Sequence, residues 1–181
     1  MHRTNRFSLL VGLAALMVGL VMIPAGAAGV DSSVSTTIVT PISLQKLPQD
    51  LNFGQIASGP VAGSVTVVPN KSGKDLVTVS GVTLVSSAHV SDARFRVSGE
   101  AGAQYVVTLP GSATVQSPGG ASMLLDVFAS APGSTGSVSF VGTLSSSNGR
   151  DDLYVGATLH VSVAQPAGVY TGTFAVTVAY Q

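Results

Sequence analysis

The side chains able to do chemistry are few and scattered. Downstream of residue 28 the histidines are His89 and His160. His89 sits in the polar run Ser-Ser-Ala-His-Val-Ser, which reads as exposed, and His160 lies between Leu159 and Val161 on the outward side of an alternating stretch. Neither stands at metal-ligand spacing from another histidine or a carboxylate, so surface strand positions account for both. Serines are numerous, yet none occupies a Gly-x-Ser-x-Gly elbow that would lift a nucleophile above a sheet. Asp151-Asp152, following Asn148-Gly149-Arg150, is the one local acidic pair. With the Asn148 carbonyl it could offer oxygen ligands to a hard cation such as calcium, but the spacing fits no calcium loop and a polar hairpin turn explains the same residues. The chain has no cysteine, which excludes thiol catalysis, cysteine metal sites and disulfide stapling together. The expectation is a protein that is not an enzyme and carries no cofactor or metal.

The elements that position these residues begin with a leader. His2, Arg3 and Arg6 make a positive start, residues 7–23 are mostly Leu, Val, Ala, Met and Gly, and Pro24-Ala25-Gly26-Ala27-Ala28 supplies small residues for a peptidase. This is the pattern of a cleavable signal peptide over 1–28, cut after Ala27 or Ala28. It implies export through the periplasm to the cell surface or beyond, with no stable membrane span left after cleavage. The remaining stretch of roughly 150 residues is the size of one domain. Without Arg3 and Arg6 the cations are Lys46, Lys71, Lys74, Arg94, Arg96 and Arg150 against eight acids, a balance that attracts neither nucleic acid nor an anionic membrane.

Val, Thr and Ser are abundant and Gly or Pro recurs every several residues, which favours strands over helices. The strictest alternation is the last: Tyr170, Gly172, Phe174, Val176, Val178 and Tyr180 share one face, a period of two. The stretch upstream alternates at Ala157, Leu159, Val161 and Val163, and Gln165-Pro166-Ala167-Gly168 supplies a reversal, so the two predict a terminal hairpin. Further strands are predicted at 64–68, 77–84, 93–98, 104–109, 123–129 and 137–144, separated by turn-rich dipeptides such as Pro110-Gly111, Pro132-Gly133 and Asn148-Gly149. The expected fold is all-β, a single immunoglobulin-like sandwich of seven to nine strands over 47–181, with a closed barrel as the other solution. Residues 29–46 stand before it as an extended segment. Within that segment Val34, Ile38, Ile42 and Leu44 share one parity, and Pro41, lacking an amide proton, suits an edge or irregular pairing.

The run Asp50-Leu51-Asn52-Phe53-Gly54-Gln55-Ile56, the Phe95-x-Val97-x-Gly99 and Tyr105-x-Val107-x-Leu109-Pro110 segments, Val155-Gly156-Ala157-Thr158-Leu159 and Gly168-x-Tyr170-x-Gly172-Thr173-Phe174 together resemble the DUF4402 family of exported bacterial proteins of unassigned function. The ending is similar to a second group. Gly168 stands fourteenth from the C-terminus and Tyr180 is penultimate on an alternating strand, a pattern that looks like chaperone-usher pilins and spore-coat-U-type proteins. That resemblance implies a pilin-like subunit whose last strand, bearing Gly168, Tyr170, Phe174, Val176, Val178 and Tyr180, borders the pairing region. Many such pilins have a cysteine pair near the start, and this chain has none.

If the sandwich lacks a strand, an extended peptide with alternating apolar residues can fill the gap by β-augmentation. Val34, Ile38, Ile42 and Leu44 are the donor candidates; burying four aliphatic side chains is worth about 6–12 kcal/mol as an upper estimate. Exchanged between copies, such a strand makes a head-to-tail contact that grows into a fibre; folded back, it gives a self-sufficient monomer. The expected function is thus a structural subunit of a bacterial surface appendage or coat, with copies of itself or a related subunit, and a periplasmic chaperone, as partners. The other reading is a self-contained secreted domain that binds a glycan or host ligand. For that reading the sequence marks no site: there is no tryptophan, and Tyr105, Tyr154, Tyr170 and Tyr180 are all assigned to strands or tight positions.

Overall fold

A computed structural model of the chain describes residues 29–72, 76–85 and 90–181, and every regular element among them is a β-strand. The expected leader at 1–28 and His89 fall outside the described residues. No helix among the described residues is long and apolar enough to cross a membrane. The chain divides into two units, 1–37 and 38–181. In the first, residues 29–37 form neither helix nor strand and are exposed.

In the second unit the order is β1 (Ser43–Lys46), β2 (Ile56–Ala57), β3 (Gly63–Val68), β4 (Leu76–Ser80), β5 (Thr83–Leu84) and β6 (Ala93–Ser98). It continues with β7 (Gln104–Thr108), β8 (Ser112–Gln116), β9 (Ser122–Pro132), β10 (Val141–Thr143), β11 (Arg150–Val161) and β12 (Thr177–Tyr180). The twelve-residue β11 organises the largest sheet. One of its flanks pairs with β9, and the other pairs first with β6 and then, from Thr158 onward, with β3. β1 extends the sheet beyond β6, β4 beyond β3 and β8 beyond β9, for seven strands in all, every pairing antiparallel. A smaller sheet has β7 at its centre with β10 and β12 on either side, and β2 pairs with β5 alone.

Period-two patterning explains which faces are buried. On β6, Ala93, Phe95 and Val97 are buried while Arg94, Arg96 and Ser98 take the other face; on β7, Tyr105 and Val107 point into the same core. The cluster thus draws on β6, β9 and β11 of the large sheet and β7 of the small one. Each fully buried aliphatic in it, such as Leu153 or Val155, contributes about 1.5–3 kcal/mol. β11 is buried on both faces from residue 153 to 159, although antiparallel strands commonly leave one face to solvent. Gly156 belongs there because a Cβ would strike the Val67 carbonyl and Pro69.

The ladder between β9 and β11 slips between Gly156 and Thr158. Val127 and Phe128 together oppose one residue of β11, a bulge, and Val127 adopts φ 47°. The extra residue turns Phe128 into the core while Val127 stays 69% exposed.

The structure corrects the sequence expectation in several places. Among the described residues there are twelve strands, not seven to nine, because several span only two to four residues, too short to show a period. The predicted strand 77–84 is broken at Gly81, which has φ 69°, and β8 was not anticipated. The terminal hairpin does not form: β11 lies in the large sheet, whereas β12 pairs with β7 in the small one. Alternation identified both strands but carried no information about partners. Asp151 and Asp152 lie in the opening residues of β11, not in a turn; the turn is Asn148-Gly149, with Gly149 at φ 63°.

Candidate assembly site and charged face

The donor candidates divide into two pairs. Val34 and Ile38 are each 94% exposed. Ile42 and Leu44 pack against the core of their own domain, Leu44 from β1 opposite Val97. The change takes place at Thr40, whose peptide is held on both sides. Its N–H donates to Glu100 Oε2 at 2.9 Å and its carbonyl accepts from the Tyr180 hydroxyl at 2.5 Å. The same phenol oxygen accepts the Glu100 N–H at 2.6 Å. Glycine at position 99 makes this possible, since a Cβ there would collide with the Tyr180 hydroxyl. The hydrogen bond from the Thr40 N–H holds the Glu100 carboxyl below its ordinary pKa. Tyr180 was expected as a pairing residue; its grip on Thr40 had no counterpart in the sequence pattern, and Glu100 carried no signal at all.

The C-terminal stretch is only partly a strand. A Cβ at Gly168 would come within ordinary contact of Ser117 and the Tyr170 ring. The Tyr170 hydroxyl donates to the Pro166 carbonyl at 2.7 Å and accepts from Gln165 Nε2 at 2.9 Å. Thr171 exchanges both backbone hydrogen bonds with Gln116. Residues 172–176 then join no ladder, and regular pairing resumes in β12 from Thr177 to Tyr180. Among the described residues no strand pairs with the outer edge of β12. Phe174, Val176, Val178 and Tyr180 alternate toward the core but are only partly buried. Phe174 meets Phe128 at 5.1 Å between ring centroids and Phe95 at 6.5 Å, edge-on. This run therefore joins an apolar side to backbone groups that no ladder uses.

A second concentration of chemistry lies on the opposite face of β6. Arg94 Nη2 donates to Asp152 Oδ2 at 2.6 Å, and Arg96 Nε donates to Asp152 Oδ1 at 2.9 Å. Burial alone would raise the Asp152 pKa, but the hydrogen bonds from Arg96 and Arg94 outweigh it and hold the carboxyl below its usual range. The same bond raises Arg94, whose guanidinium also lies 5.3 Å from the centre of the Tyr154 ring. Asp151 accepts from the fully buried Tyr105 hydroxyl at 2.9 Å and from the Ser134 N–H at 3.2 Å. Burial, reinforced by Asp151, pushes the Tyr105 hydroxyl far up. The two carboxylates considered as cation ligands are thus committed to protein donors. Among the described residues no three histidine or acidic side chains gather as a metal cluster. Arg94-x-Arg96 on an alternating strand was a signal that both guanidiniums share a face, but their partner could not be read without the register.

His160 is an exposed strand residue as expected, and it faces Asp126 across the sheet, Nε2 to Oδ1 at 2.7 Å. The carboxylate lies 34 positions upstream, beyond the reach of a local spacing argument.

Comparison with known proteins bears on the chain's ancestry. Residues 42–180 match the family described as a domain of unknown function, DUF4402, so the chain belongs to that family. Searches of curated proteins and of solved structures returned no match.

Proposed function

We propose that this DUF4402 chain is an exported structural subunit of a bacterial surface appendage or coat, its two main sheets packed as a pilin-like, immunoglobulin-like sandwich and its copies joined by β-strand complementation. The observation that carries this reading is the pairing of two unfinished parts. Upstream of Thr40, Val34 and Ile38 hold their side chains in solvent at one parity of the chain. At the other end, residues 172–176 and the outer edge of β12 present backbone groups outside any ladder above a partly buried apolar row. Each supplies what the other lacks: two aliphatic side chains on one face for the row, and amides and carbonyls for the edge.

The donor is shorter than composition alone suggests, because Ile42 and Leu44 serve their own domain. Val34 and Ile38 would add about 3–6 kcal/mol of burial between subunits as an upper estimate. The arm of one copy on the edge of the next gives a contact that does not close on itself. A periplasmic chaperone fits the same edge before assembly. A self-contained secreted domain that binds a ligand is the second reading, and the charged face of β6 and β11 is the observation that favours it.

Deleting residues 29–38 leaves β1 and the Thr40 contacts intact and removes the donor. The expected result is an intact, monomeric domain, while the chain from residue 29 forms concentration-dependent multimers in analytical ultracentrifugation. Equal sedimentation of the two proteins would show that strand complementation is the wrong account.

A further inference from the structure

We infer that the outer face of β6 and β11 binds an acidic polysaccharide, with Arg96, Arg150 and Lys71 receiving its anionic groups. Two open grooves adjoin on this face. One, of about 600 Å³, runs between residues 47–52 and β6 and includes Gln49, Asn52, Ser91, Arg94 and Arg96. The other, of about 510 Å³, includes Lys71, Ser145, Asn148, Arg150 and Asp152, and Arg96 belongs to both. Each falls within the usual range for a ligand site, about 300–1,000 Å³.

The placement of charge is the reason to assign a ligand. Only 9% of the sequence is charged, yet Lys71, Arg94, Arg96 and Arg150 all line these grooves. Lys46, the other cation among the described residues, is paired with Asp50. Two carboxylates belong to the second groove: Asp152 is shared by two guanidiniums, and Asp151, bonded to the neutral Tyr105 hydroxyl and Ser134 N–H, keeps its negative charge. Arg150 is exposed and has no ion pair among the described residues. Lys71 Nζ donates to the Gly133 carbonyl at 2.8 Å, which leaves its charge uncompensated. With Asp50 of the first groove paired to Lys46, four cations stand against Asp151 and Asp152, so the balance along the grooves is cationic, and arginine forks suit carboxylate and sulfate oxygens.

Hydroxyl-rich chemistry suits the rest of the lining. Asn52 and Asn148, one in each groove, accept backbone N–H groups through Oδ1, and their amide NH2 groups can donate toward sugar hydroxyls. Tyr154 is buried beneath Arg94 and offers no stacking platform, so recognition here rests on charge and hydrogen bonds. Two adjoining open grooves with a shared arginine fit an extended polymer that repeats its charge, more than one compact molecule. This site uses neither residues 29–38 nor 172–180 and stands or falls independently of strand complementation.

The test is affinity electrophoresis of the protein from residue 29 in gels containing polygalacturonate, dextran sulfate or neutral dextran. Retardation by either acidic polymer, weakened by added salt, with none by neutral dextran, is the expected result; the stronger of the two tells carboxylate from sulfate recognition. The Arg150→Gln, Lys71→Gln double variant should bind about tenfold more weakly, equivalent to about 1.4 kcal/mol, with an unchanged melting temperature. If that variant does not fold, backbone amide shifts of the unmodified protein titrated with the acidic polymer that retards it decide, with changes expected near Asn52, Arg96 and Asn148. Equal retardation by neutral dextran or by single-stranded DNA, undiminished binding by the folded variant, or shifts confined to other faces would each overturn the inference.

Discussion

Asp152 supplies one negative charge to two guanidiniums, and its carboxyl is held below the ordinary range because the Arg96 and Arg94 bonds outweigh the cost of burial. A folded pKa beneath the unfolded one means that the unfolded chain takes up the proton first. The stabilisation is therefore complete above the unfolded carboxylate value of about 3.9 and is lost as pH falls through the lower folded value. Melting midpoints followed from about pH 6 down to pH 2 should fall less steeply for Asp152→Asn than for the unmodified protein; parallel curves would refute the assignment. Val127 is a different kind of residue, a β-branched side chain at φ 47° with most of its surface in solvent. Glycine removes the steric penalty of that region at little cost in burial, so Val127→Gly should raise stability by about 1 kcal/mol, read as a higher urea midpoint. At this scale the sequence told where a side chain would point far better than what it would touch. Arg94 and Arg96 were legible as neighbours on one face, whereas Asp152, Glu100 and Asp126 depend on strand registers that no local pattern encodes.

Among the elements, the C-terminal run is where expectation and structure diverge most usefully. Eleven residues alternate without a break from Tyr170 to Tyr180, yet regular pairing covers only Thr177–Tyr180. Alternation reports that one side of a segment faces a core. It says nothing about whether a neighbouring strand takes up the backbone, and residues 172–176 join no ladder among the described residues even though Gly172 lies close to Thr114 of β8. The failed hairpin has the same origin: two good strands and a good turn were adjacent in sequence, but β12 finds β7 and β11 is already flanked by β6, β3 and β9. The contact at Thr40 gives this region a separate test. Tyr180→Phe deletes the hydroxyl that bonds both the Thr40 carbonyl and the Glu100 N–H. A loss of about 1 kcal/mol is expected, with faster hydrogen exchange at the Glu100 amide. Unaltered exchange there would mean that the phenol does not anchor the segment.

For the whole molecule, the all-β architecture and the central apolar strands were readable because composition and period agree over most of the chain. The grouping of strands into sheets was not, because pairings such as β11 with β3 or β1 with β6 join residues 92 and 55 positions apart. The bond between Tyr180 and Thr40 spans 140 positions, and it sets an order of events. A chain that emerges from its N-terminal end delivers Thr40 long before Tyr180, so the root of the arm stays unsecured until nearly the entire domain has arrived. Closing so long a loop is slow and entropically costly. During that interval the segment upstream of Thr40 lacks its anchor, and under the proposed strand exchange that is when it would be free to meet a neighbouring copy.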